Sequence, residues 1–290
     1  MAAVPAGVSW TARGSALNWQ DVASSSDGTK LVAVAFGANI YTSVDSGVTW
    51  TSRAAGRFWT CVASSADGTM LIAGVAFAKL WLSTDSGVNW VAVSSVGSSA
   101  WSSVASSTDG TKLVATVQDG PIWTSVDSGA TWTSYGPTRY WMYVASSADG
   151  TKLVAVANSA SSNGYIYTST NSGATWTARD SIRPWTCVAS SADGTKLVAT
   201  ASTGKIYTST DSGVTWTARG VNRSYQGVAS SSDGTMLVAV VDYGLIYVSA
   251  DSGVTWISRD SVRSWYRAAS SADGTKLVAV GYSENIYTSA

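Results

Sequence analysis

Short runs of strand-forming residues alternate with turn-forming residues along the whole chain. Between residues 19 and 53, four such runs cover residues 19–25, 30–35, 40–44 and 48–53, and Ser, Asp and Gly fill the links around them. These link residues favour tight turns because their side chains bond to the local backbone. No segment has the spacing of an amphipathic helix. The pattern therefore predicts four antiparallel strands, called a, b, c and d in chain order.

This unit recurs seven times. The tetrad Asp-Gly-Thr-(Lys/Met) between strands a and b begins at Asp27, Asp67, Asp109, Asp149, Asp193, Asp233 and Asp273, in steps of 40 to 44 residues. A second motif, Ser-x-Asp-Ser-Gly-x-x-Trp between strands c and d, begins at Ser43, Ser83, Ser125, Ser169, Ser209 and Ser249, with Asn171 replacing one aspartate. Such repeats are typical of a propeller. We predict an all-β fold, a seven-bladed β-propeller of four-stranded antiparallel blades that forms one domain over residues 1–290.

The second motif resembles the Asp-box (BNR) repeat, which is known from sialidases, sortilin-like receptors and many other propellers. Six near-complete copies cover nearly the whole chain. The resemblance implies a propeller in which each box is a structural hairpin on the side away from the usual ligand face. Because the functions of such propellers are diverse, the resemblance implies no particular activity.

The two ends of the chain complement each other. Ser289 and Ala290 match the start of a seventh copy of the second motif, and residues 7–10 match its end, with Pro5 where the aspartate is expected. We therefore expect the N-terminus to supply strand d of the last blade and the C-terminus to supply strands a to c. Such pairing closes the ring and removes the open sheet edges.

Composition narrows the chemistry that the chain can perform. Its 290 residues include 18 basic and 18 acidic side chains, two cysteines and no histidine. Without histidine there is no imidazole base, no serine–histidine pair and no histidine metal ligand. Cys61 and Cys187 hold equivalent strand-a positions in repeats two and five, across the ring and too far apart for a disulfide. The Asp-Gly turns lack the clustered carboxylates of calcium loops. We predict no metal site and no cofactor.

The sequence also gives expectations about membranes, nucleic acids and the oligomeric state. No apolar run approaches the roughly 18 residues that span a membrane, and the start of the chain has no signal-peptide pattern. Lysine is scarce in the loops that carry the arginines, and no RNA-binding signature appears, so we expect no nucleic-acid partner. We expect a monomer.

Charge and irregularity concentrate on one face. In a propeller the b–c and d–a links lie on one face, called the top, and the a–b and c–d turns lie on the other, called the bottom. Thirteen basic and six acidic side chains in or beside the top links leave the top at +7, and the bottom is at −7. This field would attract anionic partners to the top. Ten aromatics outside the regular positions also lie in or near top links: Phe36, Phe58, Phe77, Tyr135, Tyr140, Tyr143, Tyr165, Tyr243, Tyr266 and Tyr282.

The candidate binding residues repeat around the ring. An arginine comes two residues before the aromatic that opens strand a in five repeats, and we expect both sets to form a crown around the top mouth of the central channel. The set comprises Arg57, Arg139, Arg183, Arg223, Arg263, Trp19, Trp59, Trp101, Trp141, Trp185, Tyr225 and Trp265. Two interpretations stay open: these residues pack the blade junctions by arginine–aromatic stacking, or they present a ligand surface.

The leading hypothesis is a non-catalytic, lectin-like propeller that binds a carbohydrate or another anionic ligand through this crown. The first alternative is a protein-interaction or assembly scaffold, in which the irregular segments 93–100 and 158–165 contact the partner. The second is an amplified or constructed repeat with no evolved ligand. A sialidase-like glycoside hydrolase has the least support, because Tyr282 with Glu284 only superficially resembles its nucleophile pair and its Phe/Tyr-Arg-Ile-Pro motif is missing.

Overall fold

The computed structural model describes residues 7–158 and 164–289, and these residues form 28 β-strands and no helix. Seven four-stranded antiparallel blades surround a central channel, as predicted. Strands a, nearest the channel, are β2 (Trp19–Ser24), β6 (Arg57–Ser64), β10 (Trp101–Ser106), β14 (Trp141–Ser146), β18 (Trp185–Ser190), β22 (Tyr225–Ser230) and β26 (Trp265–Ser270). Strands b are β3 (Leu31–Ala38), β7 (Leu71–Val75), β11 (Leu113–Val117), β15 (Leu153–Ala157), β19 (Leu197–Ala201), β23 (Leu237–Val241) and β27 (Leu277–Gly281).

The outer half of each blade consists of strands c and d. Strands c are β4 (Ile40–Ser43), β8 (Leu80–Ser83), β12 (Gly120–Ser125), β16 (Ile166–Ser169), β20 (Gly204–Ser209), β24 (Gly244–Ser249) and β28 (Glu284–Ser289). Strands d are β5 (Thr51–Ser52), β9 (Val91–Ala92), β13 (Thr133–Arg139), β17 (Thr177–Arg179), β21 (Thr217–Arg223), β25 (Ile257–Arg263) and β1 (Thr11–Leu17). Among the described residues there is therefore no helix of the length and hydropathy needed to cross a membrane.

The ring closes through both ends of the chain. The sheet order β1-β28-β27-β26 confirms that the N-terminus supplies strand d of the last blade, with Thr11 opposite Thr288. A second closure lies at the bottom mouth, where one backbone N–H of each blade donates to a carbonyl of the next at 2.7–2.8 Å. The seven donors and acceptors are Ser26, Ala66, Thr108, Ala148, Ala192, Ser232 and Ala272, and the last donates to the first. Backbone hydrogen bonds thus tie all seven blades together independently of the side chains.

Strand d varies in length. Each seven-residue strand d contains a left-handed residue, although Asp180 in blade 4 is also left-handed (φ 52°) and β17 ends at Arg179. In β1, β13, β21 and β25 a left-handed residue (Gly14, Gly136, Gly220 or Asp260, φ 57–75°) forms a bulge, and the strand then runs on to its seventh residue. Ala54 and Ser94 stand at that position in blades 1 and 2, and neither has a positive φ. The left-handed conformation suits glycine and aspartate better than alanine. β5 and β9 accordingly end after two residues, shorter than the predicted strand 48–53.

Blades 1 and 2 are joined on the top face instead. β3 runs on past the predicted end at residue 35, and β6 starts two residues before Trp59. The two extensions pair with each other, with Phe36 opposite Phe58 and Ala38 opposite Arg57. Within the described residues, this is the one strand pairing that links two blades.

The core lies between neighbouring blades. In the six blades whose strand b has five residues, every residue of that strand is buried, as in Leu153–Ala157. In six blades the aromatic that opens strand a contacts the aromatic of strand c, with ring centroids 5.0–6.3 Å apart. The Trp50-type indole packs beside them and donates its N–H to the carbonyl of Gly47 at 3.0 Å. The strand-c aromatics and Trp50-type residues are therefore packing residues.

The bottom turns use their own aspartates. Asp27 accepts hydrogen bonds from the Ser25 hydroxyl at 2.6 Å and from the Thr29 N–H at 3.0 Å, and these bonds lower its pKa to about 2. Asp45 is held in the same way by the Thr49 hydroxyl and N–H, and its pKa is also lowered to about 2. The carboxylates of the bottom face are thus occupied with turn formation.

Candidate functional site

The seven aromatics of the predicted crown are core residues and do not line the mouth of the channel. Trp19, Trp59, Trp101, Trp141, Trp185, Tyr225 and Trp265 are each only 0–2% exposed. Three of the indoles donate across the blade junction to a carbonyl at or just before the start of strand c, as Trp101 does to the carbonyl of Ala78 at 2.8 Å. The expected placement is therefore wrong, because the wide side chain at the top of strand a fills the space between two blades. No ring face remains for a ligand.

The five arginines of the predicted crown stay at the surface, and each lies over an aromatic ring. Each guanidinium carbon is 4.4–4.9 Å from the ring centroid of the strand-c aromatic in the blade that follows it along the chain. The pairs are Arg57 over Trp81, Arg139 over Tyr167, Arg183 over Tyr207, Arg223 over Tyr247 and Arg263 over Tyr287. The stacking interpretation therefore describes their position. Because stacking leaves the outer face of a guanidinium free, their role in binding stays a prediction.

These five arginines differ in their acidic neighbours. Arg183 lies 3.6 Å from Asp180, and Arg263 lies 3.7 Å from both Asp260 and Glu284. In the described part of the chain, Arg57, Arg139 and Arg223 have no carboxylate within 4.0 Å. The cations without a neighbouring acid are the ones best able to attract an external carboxylate.

A second set of arginines, the Arg53 type at the end of strand d, has a structural role that the sequence did not suggest. We expected these residues to solvate an edge or to pair with an acid. Instead, Nε donates to a threonine hydroxyl of strand c at 3.0–3.3 Å in four blades: Arg13 to Thr288, Arg53 to Thr42, Arg179 to Thr168 and Arg219 to Thr208. In blade 6 Arg259 is opposite Ile246, Val248 holds the place of the threonine, and the buried Nε of Arg259 has no hydrogen-bond partner.

The central channel holds a polar cluster that the sequence analysis assigned to the top face. Asp21, Tyr143 and Arg267 each come two residues after the aromatic that opens strand a, and their side chains meet in the channel. Asp21 and Arg267 are 2% and 6% exposed. The Arg267 guanidinium lies over the rings of Tyr143 and Tyr266 at 5.0 and 4.2 Å. Counting these residues with the top links was wrong, because strand a has already entered the channel at its third residue.

The environment of Asp21 is unusual for a carboxylate. Burial raises its pKa to about 6, although the charge of Arg267 and hydrogen bonds from the backbone N–H groups of Val62 and Val22 lower it. Cys61 and Cys187 occupy the same strand position, and both are buried and free. Burial raises the pKa of Cys61 to about 12, so this thiol is unreactive at neutral pH. The signal in the sequence was the variability of this position among otherwise similar repeats.

Exposed aromatic side chains lie on the top face. The exposed fractions are 45% for Phe36, 56% for Phe58, 81% for Phe77, 80% for Tyr243 and 41% for Tyr282. Of the ten extra aromatics assigned to top links, Tyr143 belongs instead to the channel. On the bottom face, the large exposed apolar residues are valines of the c–d turns, such as Val126 and Val254.

The three phenylalanines are neighbours. The rings of Phe36 and Phe58 are 4.8 Å apart on the paired extensions of β3 and β6. The N–H of Ala76 donates to the carbonyl of Phe58 at 2.8 Å, which brings the next residue, Phe77, to the same part of the face. Phe77 has a φ of 54°, a left-handed conformation that is rare for a bulky residue.

The structure describes one of the two irregular segments expected to contact a partner in full and the other only in part. In the segment 93–100, Val93 and Val96 are buried against the core, and Ser99 forms an isolated bridge with Ala78. Ser94, Ser95, Gly97 and Ser98 of the same segment are exposed, so its contact with a partner stays a prediction. In the segment 158–165, residues 159–163 lie outside the described residues.

Tyr282 and Glu284, the two residues considered for glycosidase chemistry, each contact a different neighbour. Tyr282 packs against Tyr266, with ring centroids 4.8 Å apart, and Glu284 lies beside Arg263. Among the described residues, no group of three or more cysteine, aspartate or glutamate side chains is arranged to hold a metal ion.

Comparison with known proteins defines the class of protein by its fold. No family model matches the chain, and no curated protein matches it. Solved structures do match. YCF48 from Cyanidioschyzon merolae has a TM-score of 0.76 and 16% identity, with 97% of this chain and 98% of that chain covered. A Kuenenia stuttgartiensis hydrazine synthase chain has a TM-score of 0.76 and 15% identity, with 95% and 96% covered.

YCF48 bound to D1 peptide is also similar, with a TM-score of 0.74, 16% identity and 99% coverage of both chains. These likenesses show that the chain is a β-propeller. At such low identity they show the fold alone, since propellers with the same blades have unrelated functions.

Proposed function

We propose that the chain is a non-catalytic binding propeller and that its top face binds a protein partner. The observation that carries this proposal is the exposure of large aromatic side chains on the top face, with Phe77 and Tyr243 each at least 80% exposed. Aromatic residues are enriched at protein interfaces, and exposed apolar patches commonly mark interaction sites. A propeller of the same fold, YCF48, has been solved with a peptide bound.

The proposed partner replaces the carbohydrate of the leading hypothesis. Lectin-like binding through the crown needs accessible ring faces beside the arginines. The rings of Trp19 and its six equivalents are buried, so that a sugar would have to bind through arginine hydrogen bonds alone. A protein partner, by contrast, uses the exposed phenylalanine and tyrosine rings as anchors and the arginines for charge pairing.

A selection with a random peptide library displayed on phage tests the proposal. Enriched peptides are measured against the wild type, a top variant (Phe77→Ser with Tyr243→Ser) and a matched bottom variant (Val126→Ser with Val254→Ser). Each variant removes two exposed apolar side chains, so folding should be equally unaffected. We expect a loss of at least about tenfold in affinity for the top variant only. Equal binding by both variants, or loss in the bottom variant, contradicts the proposal. A glycan array run in parallel tests the lectin alternative.

A further inference from the structure

We propose that one quadrant of the top face is the docking site and that it takes an acidic peptide segment with an apolar anchor residue. The phenylalanine quadrant consists of Phe36, Phe58, Phe77, Arg57 and Lys79, all of them exposed. This inference rests on the proposed function and specifies where the partner binds and what its chemistry is.

The distribution of phenylalanine is the first argument. The chain has only three phenylalanines, none of them is in the core, and all three lie in this quadrant. A random placement of large apolar residues would put most of them inside the fold. Exposing these rings forgoes part of the hydrophobic stabilisation that their burial would bring. A bound apolar side chain would cover them.

The conformation of Phe77 is the second argument. The equivalent b–c turn positions in blades 3 and 7 hold Asp119 and Ser283, which have the same left-handed φ of 54°, and blade 6 holds a second aromatic there, Tyr243, with a φ of 48°. Small polar residues tolerate this conformation, whereas a phenylalanine there is strained. Phe77 is therefore unfavourable both in its backbone and in its exposed ring. Residues held in this way are commonly found at ligand-contacting sites.

The backbone around the quadrant is specially built. Among the described residues, the paired extensions of β3 and β6 occur only between blades 1 and 2, where strand d is two residues long. The pairing fixes the Phe36 and Phe58 rings side by side at 4.8 Å. A preformed pair of rings loses little conformational entropy when a ligand binds.

Charge defines the partner. In the described part of the chain, Arg57 and Lys79 form no ion pair, and the acids between Asp21 and Asp119 lie in the bottom turns at Asp27, Asp45, Asp67, Asp85 and Asp109. The Arg57 guanidinium is held over Trp81 at 4.4 Å, which orients it before binding. A preoriented guanidinium beside a second cation favours carboxylates. Acidic side chains around the apolar anchor are therefore the complementary chemistry.

A second copy of the chain is a poorer fit than a peptide. The top face is positive and repels another top face. The bottom face is negative, but its carboxylates already accept hydrogen bonds within their own turns, as Asp45 does from Thr49. An acidic peptide brings carboxylates that have no internal partner.

The test uses the same displayed peptide library. The quadrant variants are Phe36→Ser/Phe58→Ser/Phe77→Ser and the charge variant Arg57→Gln/Lys79→Glu. The matched control, Val221→Ser/Tyr243→Ser, removes exposed apolar side chains elsewhere on the top face. We expect the enriched peptides to be acidic, with an aromatic or large aliphatic residue, and to lose at least about tenfold in affinity for each quadrant variant. Affinity should also fall with salt for the wild type, and less steeply for the charge variant.

The outcomes separate the two proposals. Binding lost in the control but retained in both quadrant variants overturns the quadrant and leaves the top-face function standing. Binding that is insensitive to all three variants, or no enrichment at all, overturns both. Concentration-dependent self-association that the quadrant variants abolish, measured by sedimentation velocity, makes a second copy the occupant and overturns the peptide. Thermal unfolding of each variant checks that it is folded.

Discussion

The hydroxyl of Tyr143 donates to Oδ1 of Asp21 at 3.4 Å across the central channel, although the two residues belong to blades 4 and 1. Arg267 from blade 7 lies over the Tyr143 ring, so three blades meet at one point inside the ring. Such a cluster couples blades that share no strand pairing. Because it is buried, its charges are sensitive to protonation.

The first prediction concerns pH. Since the folded-state pKa of Asp21 is raised to about 6, the native protein binds a proton there more readily than the unfolded chain does. This group therefore makes the protein lose stability as pH rises from about 4 to 6, by an amount of about 3 kcal/mol. In Asp21→Asn this component of the pH dependence should vanish. Urea unfolding at several pH values measures it, and an unchanged slope in the variant contradicts it.

The second prediction concerns ring closure. Deleting residues 1–13 removes the ladder of Thr11, Ala12 and Arg13 with β28 and exposes the edge of the last blade. We expect loss of a single cooperative unfolding transition. A circular permutant that carries residues 1–17 after Ala290 is the control, because it keeps the pairing while moving the terminus. If the deletion melts like the wild type, closure through β1 is unimportant.

The third prediction contrasts buried and exposed aromatics. Trp185→Ala leaves a large cavity between blades and should lower the free energy of unfolding by about 3–5 kcal/mol, because the ring is fully buried. Phe77→Asn should leave stability unchanged or raise it by up to about 1 kcal/mol, because asparagine tolerates the left-handed conformation. Equilibrium denaturation measures both. A destabilised Phe77→Asn would show that this ring supports the fold.

The fourth prediction concerns Arg259, the strand-d arginine whose buried Nε has no hydrogen-bond partner. Val248→Thr places in blade 6 the hydroxyl that bonds arginine Nε in four other blades, and it should raise the free energy of unfolding by about 1 kcal/mol. Thr208→Val, the reverse change beside Arg219, should lower it by a similar amount. A gain in Val248→Thr that persists when Arg259 is replaced by alanine would exclude the hydrogen bond as its cause.

Local chemistry made much of the architecture readable. Turn motifs such as the one at Asp27 bond within a few residues, so the number of repeats, the strand order and the closure by β1 all followed from the sequence. The opposite charges of the two faces stay a prediction of the same kind, because b–c and d–a links share one side in any propeller. These features depend on contacts inside a unit of about 40 residues or on the match between the chain ends.

The candidate site depended on contacts between units. The indole of Trp19 donates to the carbonyl of Glu284, 265 residues away, and no spacing pattern distinguishes this buried ring from an exposed one. The same holds for Asp21, whose environment comes from the neighbouring strands, and for the pairing of Phe36 with Phe58.

The sequence by itself therefore determined the fold and the ring closure, because turn chemistry and strand alternation act over short distances. Only the tertiary structure decided which aromatics fill the blade junctions and which stay exposed. That outcome depends on the space left when seven blades converge on one channel and pack against both neighbours.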